Sequence, residues 1–270
     1  MRRTPLGWAA RNGHEEVVKI LLGRDDIDPN KPGEHGQTPL VQAASNGHEG
    51  IVKMLLGRGD VNPDEPDESG RTPLWWATFN EHEGVMEMLL GRGDVNLNEP
   101  DVKGLTPLGL AACRGSEGVI KVLLRQSNIS PDEPDEDGRT PLWWAARHGH
   151  KGAMKILLGR DDVNSDTPDL GDETPLHCAA WYGHEGVVEM LLGRDDVDPN
   201  WPDMYGQTPL LAAIRGGCEG AAKLLLKRHG VNSDTPDYLG QTPLWWATKN
   251  GHAEVIALLQ PPTSPTHNTA

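Results

Sequence analysis

The sequence has little aromatic carbon outside tryptophan: its 270 residues include one Phe and three Tyr. It is also short of positive charge, with 25 Lys and Arg against 40 Asp and Glu and a formal net charge of −15. Such a surface repels nucleic-acid phosphates and anionic lipid, since binding either needs clustered Lys and Arg. No run of about 18 apolar residues occurs, so no transmembrane helix is expected. The opening MRRTPLGWAA has no secretory core, and Cys113, Cys178 and Cys218 form no spaced framework, so reduced thiols in the cytosol or nucleus are expected. Gly-Lys never occurs, which excludes a Walker phosphate loop.

Several chemistries lack a second partner. His14, His48, His82, His150, His184 and His252 recur in register. Stacked helical units sit about 8–10 Å apart, too far to share one metal ion. Each His is therefore expected to bond the turn backbone. The recurring His-Glu has no second His at zinc-protease spacing. Cys178 and His177 are helix neighbours, pointing about 100° apart, and make no nucleophile–base pair. Asp135-x-Asp137-Gly138 lacks the closing Glu of a calcium loop. The sequon at Asn128-Ile-Ser130 has no secretory signal to bring it to modification. No catalytic, cofactor-binding or metal-binding residue is assigned, and no enzyme is expected.

What the chain holds in abundance is repetition. Thr-Pro-Leu opens at Thr4, Thr38, Thr72, Thr106, Thr140, Thr174, Thr208 and Thr242, each 34 residues after the last. A fixed period in this range marks a solenoid. Thr followed by Pro reads as an N-cap and first helical position. Gly149 and its counterparts end a short first helix. A second helix follows, with an apolar face such as Ala153, Met154, Ile156, Leu157 and Leu158. Pro-rich polar stretches ending in Asp-x-x-Gly then make turns, with Val-Asn or Val-Asp able to extend a hairpin-like finger. One unit cannot bury its apolar face alone, so the units are expected to stack into one elongated array.

Thr-Pro-Leu-x-x-Ala-Ala-x-x-Gly-His-Glu, a Val pair, Leu-Leu and Asp-x-x-Gly together resemble ankyrin repeats. The resemblance covers roughly residues 1–259 and recurs eight times. It implies an all-α, ankyrin-type helical solenoid of eight stacked helix-turn-helix repeats with short hairpin-like fingers. The array is expected over 1–259 and a disordered Pro/Thr-rich tail over 260–270. The 34-residue period is one longer than the family's usual repeat. Repeat 3 departs at Thr78 and Glu81, repeat 4 has Ser116 for His, and repeat 7 has Cys218 for His. In repeat 5, Asp172 replaces the turn Gly, and that junction is expected to loosen. The pairs Trp75–Trp76, Trp143–Trp144 and Trp245–Trp246 depart most. The second Trp of each pair, like Trp8, stands where the family has an apolar core residue, and is expected to pack between repeats.

The resemblance further implies a non-enzymatic protein-interaction scaffold, a monomer that binds its partner on the concave face. The alternative is the regulatory or sensory arm of a larger ATPase- or kinase-linked signalling protein. Acidic fingers point to a partner with a basic surface. Family contact positions lie at the end of the first helix and inside Asp-x-x-Gly. Most units are polar at the helix-end sites, but repeat 6 places Trp181 and Tyr182 there. The following fingers present Met204 with Tyr205 and Tyr238 with Leu239, flanked by Arg147, His148 and Arg215. These nine residues are the expected partner-binding set, because hot spots favour Trp, Tyr and Arg.

Overall fold

A computed structural model describes residues 4–260. Most of the expected 260–270 tail therefore lies outside the described residues. Among them there are sixteen α-helices, one 3-10 turn at Glu34–Gly36 and no strand. No helix is long and apolar enough to cross a membrane.

The chain divides into two compact units. Among the described residues, the first comprises 4–141 and 159–163. It holds α1 (Pro5–Arg11), α2 (Glu15–Leu22), α3 (Pro39–Ser45), α4 (Glu49–Leu56), α5 (Pro73–Phe79), α6 (Glu83–Leu90), α7 (Pro107–Arg114) and α8 (Glu117–Leu124). Here α1, α3, α5 and α7 pack in succession, with α2, α4, α6 and α8 in a second row behind them. Among the described residues, the second unit comprises 142–158 and 164–260. It holds α9 (Pro141–His148, entering the unit at Leu142), α10 (Lys151–Leu157), α11 (Pro175–Trp181), α12 (Glu185–Leu192), α13 (Pro209–Arg215), α14 (Glu219–Lys227), α15 (Pro243–Asn250) and α16 (Ala253–Leu259). The rows α11–α13–α15 and α10–α12–α14–α16 repeat the arrangement.

The recurring phrases have local causes. Thr4, Thr38, Thr72, Thr106, Thr174, Thr208 and Thr242 each accept, through the hydroxyl, the backbone N–H three residues on. Pro then stands where a missing N–H costs nothing. The Gly-His pair is explained across the repeat boundary rather than within the turn, a correction to the sequence expectation. His48 Nε2 donates to the Arg11 carbonyl (3.0 Å), and His184 Nε2 to the Arg147 carbonyl (2.9 Å). The ring lies against the preceding repeat's Gly: a Cβ on Gly13 would sit 2.9 Å from the His48 ring. Where His is absent, other pairs serve. Ser116 Oγ donates to Glu81 Oε1 (2.5 Å), so the two departures in repeats 3 and 4 compensate one another. Cys218 Sγ donates to the Trp181 carbonyl (3.2 Å). Asp172 takes a left-handed conformation (φ 60°) in place of Gly and still closes its turn through Asp172 N to Asp169 O (3.0 Å), so that turn is not loosened.

The tryptophan pairs also overturn an expectation. In two of the three pairs the first Trp is the buried one: Trp143 is 1% and Trp75 5% exposed, whereas Trp245 is 42% exposed and Trp246 half-buried. Trp76 and Trp144 are half-buried, and Trp8 is 46% exposed. Neighbouring helical positions diverge by about 100°. Trp143 is turned towards the next finger, where Nε1 donates to the Glu173 carbonyl (3.0 Å). Trp76 turns instead towards its own finger, and Nε1 donates to Asp67 Oδ2 (3.0 Å). Trp143→Ala should therefore cost about 3–5 kcal/mol and Trp144→Ala clearly less, as read from denaturant midpoints. Equal losses would contradict this assignment.

Fingers are joined by a side-chain ladder. Asn30 Oδ1 accepts Asn62 N–H (2.9 Å) while its amide donates to the Asp60 carbonyl (2.6 Å). Asn98 and Asn200 do the same with Ser130 and Asn128, and with Asn232 and Gly230. At the equivalent rung Asp64 accepts Asn96 N–H (3.0 Å) and Asp166 accepts Asp198 N–H (2.8 Å), but the second oxygen of each is buried without a donor. Burial, first among the causes, raises both carboxyls above their ordinary value. A raised folded-state value means this group's contribution is greatest below the unfolded carboxyl value of about 3.9 and falls as pH rises through the folded value. Asp64→Asn and Asp166→Asn should each add about 0.5–1.5 kcal/mol near pH 7. The gain should shrink as the pH approaches about 4; urea melts at the two pH values check this.

Candidate functional site

A hollow of about 520 Å³ lies within the second unit, between the first-row helices and the finger tips. Two small side chains border it at a register that holds an indole in the third, fifth and eighth repeats. The finger Asp recurrently meets the indole nine residues on, as Asp67 meets Trp76 and Asp237 meets Trp246 (3.2 Å). Nine residues after Asp169 stands Cys178, and nine after Asp203 stands Ala212. These small side chains form part of the lining.

Around this gap stand seven of the nine sequence-assigned residues: Arg147, Trp181, Tyr182, Tyr205, Arg215, Tyr238 and Leu239. Trp181 and Tyr182, ending α11, are 41% and 43% exposed. Tyr205, Tyr238 and Leu239 come from fingers tied by Tyr238 N–H to the Tyr205 carbonyl (3.0 Å). The Arg147 guanidinium lies 4.7 Å from the Tyr182 ring centre, and that of Arg215 lies 4.4 Å from Trp246. His148 and Met204 are not in the lining. His148 stacks on Trp144 (5.9 Å between ring centres), and Met204 sits exposed at its finger tip.

Five polar or ionisable lining residues escaped the sequence reading. Asp203 and Asp237 are buried and shape their fingers. Asp203 Oδ1 accepts Tyr205 N–H (2.9 Å) and Gln207 N–H (2.7 Å), and Oδ2 accepts the Gln207 amide (3.0 Å). Arg215 Nη1 donates to Gln207 Oε1 (2.5 Å). Glu173 is half-buried and accepts from Cys178 Sγ at 3.8 Å. Burial, then the Asp169 and Asp203 charges, raise its carboxyl above the ordinary range, while Arg147 opposes them. His177 is fully buried, with Nε2 donating to the Gln207 carbonyl (2.8 Å) and Nδ1 accepting at Thr174. The signal for the hollow was present in the sequence, as Cys and Ala replacing Trp at one register.

A family model described as "Ankyrin repeats (3 copies)" matches residues 1–64, 59–135, 93–169, 127–203 and 195–268. The chain belongs to the ankyrin repeat family. Ankyrin repeats are protein–protein interaction modules, and their proteins are typically non-enzymatic. A search of curated protein sequences returns no match. Within this ankyrin chain, His177 is the family's His after Thr-Pro-Leu, completing a capping box on Thr174. Burial holds its imidazole below the ordinary value of about 6.5. A depressed value means its stability contribution is present above the unfolded value and lost as pH falls below it. His177→Gln, which keeps a capping side chain at that position, should lose less stability than the parent between about pH 7 and pH 5. Parallel thermal melts test this; an identical acid loss in both chains would refute it.

Proposed function

We propose that the chain is a non-enzymatic scaffold that holds a protein partner in the groove of the second unit, the part of the array that corresponds to the family's concave face. One observation carries this reading. Exposed aromatic side chains from α11 and two fingers meet two arginines around one hollow. Large exposed apolar groups are costly in a protein that binds nothing, and Trp, Tyr and Arg gathered in one patch have hot-spot composition. The net charge of −15 supports a partner with a basic contact surface and binding by a single copy of the chain.

Partner capture followed by calorimetry with the purified pair tests the reading. Trp181→Ala with Tyr182→Ala should weaken binding by about 2 kcal/mol or more and leave the unfolding curve in place. Affinity should also fall as salt rises from low to several-fold higher concentration. Unchanged affinity in the double variant, or early melting, would show that these rings stabilise the fold instead.

A further inference from the structure

The chain contains a filled version of the seat that the groove leaves open. In the finger that leads into the third repeat, Arg71 stands four residues after the finger Asp, and its guanidinium pairs with Asp67 (2.9 Å). Its Cζ lies 4.3 Å from the Trp76 ring centre, so the group sits between a buried carboxylate and an indole. Arg139 and Trp144 occupy the same two registers in the fifth repeat. In the sixth and seventh repeats both members change together. The Arg register holds Glu173 and Gln207, and the Trp register holds Cys178 and Ala212. The carboxylates remain while the Arg and the indole of these two registers are gone.

We propose that this groove receives an arginine side chain from an extended, basic segment of the protein partner, in the place that Arg71 fills in the third repeat. The inference rests on the groove being the partner site. Charge complementarity supports it. Asp203 is held on its second oxygen by a neutral amide instead of a guanidinium, and Glu173 adds a carboxylate whose hydrogen-bond donor is a thiol. With Asp237, the lining has three carboxylates and two guanidiniums. Both guanidiniums already have partners, Arg147 over Tyr182 with its charge acting on Glu173, and Arg215 on Gln207 and Trp246. Trp181 and Tyr205, from outside the two altered registers, add aromatic surface to the lining. A volume of about 520 Å³ exceeds one side chain and lies in the range, about 300–1,000 Å³, of clefts that enclose larger ligands. A planar, forked cation fits a carboxylate between aromatic walls better than an ammonium does, which favours Arg over Lys.

The test uses the full chain, immobilised, against a phage-displayed library of short random peptides. The enriched peptides should share an Arg and need Trp181 and Tyr182. A synthetic copy with citrulline, the uncharged isostere, in place of that Arg should bind at least about tenfold more weakly. The combined variant Glu173→Arg, Cys178→Trp rebuilds the third-repeat arrangement in the sixth. It should unfold cooperatively and no longer bind these peptides. Peptides that need Trp181 and Tyr182 but carry no common Arg, or bind equally well with citrulline, would overturn the arginine assignment and leave the groove as the binding site. Failure to recover any peptide that depends on Trp181 and Tyr182 would overturn the groove reading, and this inference with it.

Discussion

The structure depends on one constraint: no repeat can satisfy all of its own polar groups or cover its own apolar face. Within each unit the decisive side-chain bonds run to the neighbouring repeat. His48 reaches back 37 residues to the Arg11 carbonyl, Arg58 reaches back 36 to the Leu22 carbonyl, and Asn62 N–H reaches back 32 to Asn30. Each closes a group that a short helix end or an irregular finger would leave open. The helices are only seven to nine residues long, too short to persist alone, so packing and these cross-repeat bonds hold them.

This constraint also decides which departures are tolerated. Glu81 and Ser116 each break the pattern of their own repeat, yet together they make one hydrogen bond where Gly and His would otherwise meet. Cys218 replaces a histidine and retains its acceptor, the end of the preceding first helix. The fingers obey the same logic with less success. Asn satisfies both neighbours of its rung, whereas Asp64 and Asp166 satisfy one and bury an oxygen without a donor.

The groove is the consequence of giving up packing at one register. Trp76 and Trp246 fill the space beside the finger Asp and bond to it. Cys178 and Ala212 leave that space empty, and the scaffold persists because Asp203 and Asp237 still close their turns through backbone N–H groups. Binding capacity is thus obtained without disturbing the bonds that define the repeat, consistent with the role of ankyrin repeats as interaction modules.

The sequence by itself determined the helix order, the caps and the repeat period, because these rest on local chemistry: Thr before Pro, Gly at positive φ, and apolar residues at helical spacing. It also exposed Trp181 and Tyr182 as anomalies against polar counterparts. Only the tertiary structure decided which Trp of each pair is buried, since that depends on the angle at which one helix meets the next finger. It alone showed that the recurring His serves the preceding repeat, that Glu81 and Ser116 are partners, and that Glu173 and Gln207 line the same hollow as Trp181. Each of these relations joins residues some thirty or more positions apart or across a helix face, and their proximity is set by the stacking of repeats rather than by any local pattern.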